Sequence, residues 1–229
     1  MADLHAFGRR EDAAAALAEA VLHRLATGLS ARGAATLVVP GGTSPAALFA
    51  CLRCADLDWS RVTVVPSDER WVPVTDPESN ERLLRETLCI DAASDARLLG
   101  LYRDTPTPRA ALDEVAAALD ALPTVVDAVV LGMGADGHTA SLFPDARNIA
   151  ACLETSAPCV APQRPPGETP RLSLSLARLR ATKSLSLLCF GEDKRAAYTR
   201  AAEPGPSTQY PVRGVIHQSR VPLSVYWAD

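Results

Sequence analysis

Short apolar runs alternate with amphipathic stretches along the chain, and the two patterns predict strands and helices in turn. The apolar runs, bounded by proline, glycine or polar residues, predict strands at Ala35–Val39, Val62–Val65, Val125–Leu131 and Leu185–Phe190. Helical spacing of apolar residues predicts helices at Glu11–Gly28, Pro45–Cys54, Glu78–Leu88, Arg109–Ala121 and Glu192–Ala202. Strands joined through helices make right-handed crossovers, so we expect an α/β fold with a doubly wound, mostly parallel sheet and helices on both faces.

Two further segments predict strands of a different kind. Leu172, Leu174 and Leu176 alternate with serines, and this period of two favours a half-exposed strand. Val221–Tyr226 predicts a closing edge strand, whereas the proline-rich stretches Pro158–Pro170 and Pro204–Pro211 predict loops. No linker divides the chain, so residues 1–229 are expected to form a single domain.

Composition narrows the class of protein. Hydrophobic residues make up 48% and charged residues 22% of the 229 residues, which is typical of a folded globule. No apolar run approaches the ~20 residues of a membrane span, and the first residues lack the basic and apolar regions of a signal peptide, so we expect a cytoplasmic protein without membrane contact. The net charge of -4 argues against nucleic acid as a partner.

Six scattered cysteines are predicted to be reduced core thiols, because a chain of this size does not depend on disulfides. Cys51 and Cys54 have a C-x-x-C spacing, but no second ligand pair accompanies them. We therefore expect no metal.

Polar segments follow the predicted strands, at the sheet edge where doubly wound folds bind ligands. Pro40–Pro45 contains Gly42, Thr43 and Ser44, which could hold an anion through backbone N–H groups and hydroxyls, or could form an ordinary turn with a helix cap. Ser67–Pro73 contains Asp68 and Arg70, and could be either a ligand-binding or a solvated, self-paired loop.

The segment Leu131–Pro144 carries the most specific pattern. Its glycines at 132, 134 and 137 match the dinucleotide fingerprint G-x-G-x-x-G, but only Glu154 lies near the offset expected for a ribose-binding acid. The favoured interpretation places Asp136 and His138 beside a small substrate, since histidine suits general-base chemistry near neutral pH. Arg171 and Lys194 begin or follow other predicted strands and could converge on one anion, although such side chains are often merely solvated.

Together these segments resemble the 6-phosphogluconolactonase family, within the glucosamine-6-phosphate isomerase/deaminase superfamily. The matching motifs run in order from residue 40 to the end: Pro40–Pro45, Ser67–Pro73, Ser79–Asn80, Gly132–Pro144, Pro170–Leu174, Gly191–Lys194 and Trp227–Asp229. Two positions depart from the family pattern: Arg195 and Asp145, where a small residue and a glycine are more usual.

The resemblance implies a lactone hydrolase of the oxidative pentose phosphate pathway that uses no cofactor. It implies His138 as the general base, Asp136 as its orienting group and Arg70 facing the lactone or its phosphate. Gly42, Thr43, Ser44, Arg171 and Lys194 would hold the phosphate, and Asp68 would join the substrate-binding set. We expect a small phosphosugar lactone as partner, and a monomer or weak homodimer.

Two alternatives stay open from sequence. A glucosamine-6-phosphate deaminase would share the phosphate turn, but is expected to have Asp-Glu-Tyr where Arg70 stands and Asn-Glu-Pro where Ser141–Pro144 stands. A non-catalytic phosphosugar-binding protein would share the fold, usually with an added DNA-binding segment for which this chain has no extra length.

Overall fold

The structure, a computed structural model, describes residues 2–229. Its strands are β1 (Asp3–Phe7), β2 (Ala35–Val39), β3 (Val62–Pro66), β4 (Asp68–Arg70), β5 (Arg97–Leu98), β6 (Ala128–Gly132), β7 (Cys159–Val160), β8 (Arg171–Leu174), β9 (Leu185–Phe190) and β10 (Leu223–Ala228). Its α-helices are α1 (Arg10–Arg32), α2 (Ala46–Leu52), α3 (Asn80–Thr87), α4 (Leu112–Asp120), α5 (Ile149–Glu154), α6 (Leu176–Arg180), α7 (Glu192–Ala202) and α8 (Arg213–Ile216).

Seven strands form one parallel sheet in the order β1-β10-β9-β6-β2-β3-β5. From β2 the chain proceeds to β3 on one side, and from β6 it proceeds to β9 on the other. The boundary between β2 and β6 is therefore the topological switch point, where a doubly wound fold opens a ligand-binding crevice. The predicted doubly wound, mostly parallel sheet is confirmed.

Each face of this sheet is covered by its own layer of helices. Leu37 and Val39 of β2 point into a cluster that includes apolar residues of α1, α2 and α3, whereas Val38 points into a cluster with α4 and α7. All five residues of β2 and all six of β9 are buried. This burial on both faces explains why these strands have continuous apolar runs rather than an alternating pattern.

A second, three-stranded antiparallel sheet joins β4, β8 and β7 in that order. Strand β4 begins directly after β3, and its pairing with β8 sets Arg70 opposite Arg171. Two arginines that are 101 positions apart in sequence are thereby brought together at the edge of the main sheet.

The prediction of a half-exposed strand at Leu172–Leu176 is wrong. Leu172, Ser173 and Leu174 are at most 1% exposed, because β8 is the central strand of the small sheet and packs into the core. The serine hydroxyl tolerates burial by donating to the carbonyl of Leu174 at 3.0 Å. Leu176 begins α6 instead of extending the strand.

The prediction of a closing edge strand at Val221–Tyr226 is also wrong in its position. β10 lies between β9 and β1, and β1 forms the edge. β1 has no continuous apolar run that would predict a strand, because none of its five residues is fully buried. Smaller differences are the strands β4 and β7 inside segments expected to be loops, and the start of β6 at Ala128.

Two further findings bear on the expected class of protein. Over residues 2–229 the structure contains no helix that has both the length and the apolar character for crossing a bilayer. All six cysteines are free thiols; Cys152, Cys159 and Cys189 are buried, but Cys54 is exposed, so the prediction of core thiols is wrong for that residue. Cys54 lies just beyond the end of α2, where the helix no longer covers it.

Candidate active site

A cleft of about 390 Å³ opens at the carboxyl ends of β2, β3 and β6, across the switch point. Its lining includes every predicted site residue except Asp136: Gly42, Thr43, Ser44, Asp68, Arg70, His138, Arg171 and Lys194. Nothing in the local sequence shows that β8 and α7 deliver Arg171 and Lys194 to loops more than 100 residues away. The convergence comes from the sheet topology.

A hydrogen bond between two side chains connects the turn after β2 to the start of α7. Lys194 donates from Nζ to Ser44 Oγ at 3.1 Å. Gly42 lies in the chain between β2 and Ser44 and has φ +80°, a left-handed conformation that glycine adopts without strain. The turn therefore presents its hydroxyls beside a lysine ammonium group.

His138 is held by the loop that follows β6. Its Nδ1 lies 2.6 Å from Asp136 Oδ1, its backbone N–H donates to the same oxygen at 3.1 Å, and its carbonyl accepts from Gly134 at 3.0 Å. Burial alone would raise the pKa of Asp136, but the hydrogen bonds and charge of His138 outweigh it and hold that pKa below its usual value. An ionised Asp136 can only accept, so Nδ1 is the ring nitrogen that donates in this contact.

Asp136 stands behind His138 rather than in the cleft wall. The loop can bring the two side chains together because residue 134 is glycine: a Cβ there would lie 2.2 Å from His138 Nδ1. After Gly137 the chain continues irregularly until α5 begins at Ile149, so the G-x-G-x-x-G pattern does not open a helix as the dinucleotide fingerprint requires.

Arg70 and Arg171 supply positive charge on the other loops. Arg70 donates from Nη1 to the carbonyl of Glu78 at 2.7 Å. Burial, followed by the neighbouring charges of Arg70 and Arg164, lowers the pKa of Arg171. The Nε atoms of Arg70 and Arg171 are buried without a hydrogen-bond partner among residues 2–229, which leaves both guanidinium groups with donors to spare.

Acceptors also face the cleft. Asp68 receives hydroxyl hydrogen bonds from Ser67 at 2.9 Å and Ser141 at 2.5 Å, and so ties the loop after β3 to the segment of His138. Asn80 donates from Nδ2 to the carbonyl of Asp68 at 2.8 Å, which fixes its amide orientation. Its Oδ1 is buried and has no partner within the described part of the chain.

An aromatic stack beside His138 was not predicted as part of the site. The ring centroids of Phe143 and His138 are 4.3 Å apart with the rings tilted by 37°, and Arg164 Cζ lies 3.7 Å from the Phe143 centroid. Asp145, one of the two departures from the family pattern, forms an ion pair with Arg164. Phe143 stands in the quoted motif, but Arg164 comes from a proline-rich loop whose sequence carries no signal of this contact.

Comparisons with known proteins agree with this geometry. The chain matches the family model described as "Glucosamine-6-phosphate isomerases/6-phosphogluconolactonase" over residues 8–227. A relative from Mesorhizobium japonicum named 6-phosphogluconolactonase is 41% identical over 98% of this chain and 94% of its own length. One of the same name from Rhizobium meliloti is 37% identical over 99% of both chains.

A solved structure extends the likeness to three dimensions. The crystal structure of a 6-phosphogluconolactonase from Shewanella baltica OS155 superposes with a TM-score of 0.97 and 36% identity, covering 100% of this chain and 98% of that one. Since the family model spans nearly the whole chain and the relatives match at full length, this chain belongs to the glucosamine-6-phosphate isomerase/6-phosphogluconolactonase family.

Proposed function

We propose that this protein hydrolyses 6-phospho-D-glucono-1,5-lactone to 6-phosphogluconate, a step of the oxidative pentose phosphate pathway. The names of its full-length relatives support this reaction. The observation that carries it is the pairing of His138 with Asp136 in a cleft that also contains Lys194, Arg70 and Arg171. Such a cleft combines a base with positive charge for a phosphorylated substrate.

Binding begins with the phosphate. The phosphate is held by charged donors, hydroxyls and backbone, because such groups suit its acceptor oxygens. These groups are Lys194, Arg171, the Thr43 and Ser44 hydroxyls and the backbone at Gly42. Asp68 lines the cleft as an acceptor, so it suits sugar hydroxyls better than phosphate oxygens. Fixing the far end of the sugar orients C1 toward His138.

Hydrolysis then needs one base and one oxyanion stabiliser. His138 Nε2 takes a proton from water as the water oxygen attacks C1, and Asp136 stabilises the resulting imidazolium. Arg70, whose side chain lines the cleft, stabilises the negative charge on the former carbonyl oxygen. The intermediate collapses, the C1–ring oxygen bond breaks, and the imidazolium returns its proton to the departing ring oxygen.

The chain's own residues suffice for these steps, and the proposal includes no cofactor and no metal. We further propose a small-molecule partner alone, in a monomer or weak homodimer. Six free cysteines suit a reducing compartment, so the proposed location is the cytoplasm.

The decisive experiment measures lactone hydrolysis with substrate generated in situ and spontaneous opening subtracted. His138→Ala should lower kcat by about 10²- to 10⁴-fold, the usual contribution of a general base. His23→Ala is the matched control, because His23 is an exposed histidine on α1 outside the cleft. Folded wild type without a rate above background would refute the lactonase proposal, and release of ammonia from glucosamine 6-phosphate would then support the deaminase alternative.

A further inference from the structure

Glu69 is a fully buried carboxylate between two residues that line the cleft. It is 0% exposed and is the central residue of β4, with Asp68 before it and Arg70 after it. Because side chains alternate along a strand, Glu69 points away from the cleft that its neighbours face. The side chain therefore has no direct access to substrate.

Two of the four hydrogen bonds of this carboxyl group come from the backbone of cleft residues, and the other two come from residues beside them at the start of α3. Oε1 accepts from the backbone N–H of Arg70 at 2.8 Å and of Asn80 at 2.7 Å. Oε2 accepts from the N–H of Glu81 at 2.7 Å and the Ser79 hydroxyl at 3.3 Å. One oxygen thus joins the backbones of two residues, Arg70 and Asn80, that belong to different elements.

Two reciprocal bonds complete the connection between β4 and the start of α3. Arg70 donates from its guanidinium to the carbonyl of Glu78, and Asn80 donates from its amide to the carbonyl of Asp68. Helix α3 already has an N-cap without Glu69, because the Ser79 hydroxyl accepts from the N–H of Arg82 at 3.2 Å. The buried charge serves chiefly to fix β4 against α3.

We propose that Glu69 is a positioning residue that holds Arg70 and Asn80 in the orientation from which they face the substrate. This inference rests on the proposed lactonase function. Burying a carboxylate is unfavourable unless strong hydrogen bonds offset the cost, and a residue with only a packing role at this position would be apolar. Four donors from two elements offset part of that cost here.

The test is a pair of double-mutant cycles that combine Glu69→Gln with Arg70→Ala and with Asn80→Ala. An amide cannot accept from both donors at the Oε2 position, so Glu69→Gln disturbs the connection at constant side-chain size. We expect Glu69→Gln to lower kcat/KM about tenfold in the native background. Each kcat/KM is divided by the folded fraction of that variant, which urea unfolding gives. In each variant background the loss should be about threefold or less, because part of the effect acts through the side chain already removed.

A merely structural role would reduce activity by the same factor in all three backgrounds, and that result would overturn the proposal. Glu81→Gln is the matched control, since this buried acid on α3 pairs with Arg85 at 2.7 Å outside the cleft and should leave kcat/KM nearly unchanged. If Glu69→Gln does not fold, Glu69→Asp shortens the side chain while keeping its charge, and takes its place in both cycles.

Calorimetric binding of 6-phosphogluconate separates the two proposals. Hydrolysis by the wild type with equal losses in every background would reject only the positioning role. Absence of hydrolysis, with binding losses that are smaller in the variant backgrounds, would reject the lactonase function and keep the positioning role. A wild type that neither hydrolyses the lactone nor binds 6-phosphogluconate would overturn both.

Discussion

Three cations, Arg70, Arg171 and Lys194, line one cleft of a chain whose net charge is -4. Burial, and then the nearby charges of Arg70 and Arg164, lower the pKa of Arg171, so this cation lies beside other positive charges in a partly buried position. Holding like charges together in a partly buried site is unfavourable unless an anion binds there. At the scale of single residues, this concentration of positive charge supports the proposal that the cleft binds a phosphate.

Lys194→Gln tests this preparation. Removing one charged donor to phosphate should raise KM for the phosphorylated lactone about 10- to 100-fold, because such a bond contributes roughly 1.5–3 kcal/mol. Hydrolysis of unphosphorylated glucono-1,5-lactone should not change. Arg195→Gln is the control: this exposed neighbour lies over the Trp227 ring, 5.8 Å from its centroid, and outside the cleft. Equal effects on both lactones would contradict the assignment of Lys194 to the phosphate.

At the scale of elements, the loops after β2, β3 and β6 carry the cleft, and one glycine decides the geometry of the last. A Cβ at Gly134 would lie 2.2 Å from His138 Nδ1 and 2.5 Å from Asp136 Oδ1. Neither side chain could keep its place against such a contact. The His138–Asp136 pair can form because the backbone at Gly134 passes this close to both side chains.

Gly134→Ala should therefore lower kcat by about 10²-fold or more, since it separates the general base from its carboxylate. Gly132→Ala, at the end of β6 two residues earlier, is the matched control, because its Cβ would meet no atom nearer than Pro40 Cβ at 4.0 Å and should leave kcat largely intact. The measurement is steady-state hydrolysis, with urea unfolding of both variants. A Gly134→Ala enzyme with native kcat would show that the His138–Asp136 contact is dispensable.

Element patterns also show what sequence could predict. β2, β9 and α7 have the predicted boundaries, because continuous apolar runs and helical spacing report burial directly. β8 was wrongly expected to be half-exposed, since its serines are buried by a second sheet that no local pattern reveals. The motifs predicted that His138 and Lys194 belong to the site, and both line the cleft. The contacts of Glu69 with α3 and of Arg164 with Phe143 join separate segments, and motif spacing cannot predict them.

At the scale of the whole molecule, the main sheet places the cleft at its switch point and the small sheet closes one side of it. The junction between the two sheets is the short passage from β3 to β4. Glu69 lies at this junction. It pairs with Leu172 of β8 across the small sheet, and its side chain accepts from the backbone N–H of Glu81 on α3. Its protonation state is thus coupled to the folding of both sheets.

The stability of the protein should consequently depend on pH through Glu69. Burial raises the pKa of Glu69 from 4.5 to about 7. The backbone N–H groups of Asn80, Glu81 and Arg70 lower this pKa but do not outweigh burial, and the charge of Asp68 raises it slightly further. The folded state therefore binds this proton more tightly than the unfolded chain. Its contribution to stability is complete below about pH 4.5 and is lost as pH rises through about 7.

Urea unfolding between pH 5.5 and 8 measures the effect. The free energy of unfolding of the wild type, relative to Glu69→Gln, should fall by about 2 kcal/mol across this interval, because glutamine does not titrate. Glu81→Gln, which leaves Glu69 in place, should keep the wild-type pH dependence. If the wild type and Glu69→Gln instead lose stability in parallel, then the four donors around Glu69 favour its carboxylate enough to cancel the cost of burial. The charge would in that case be present at every pH at which the protein is folded, and Arg70 would be held equally well on both sides of neutrality.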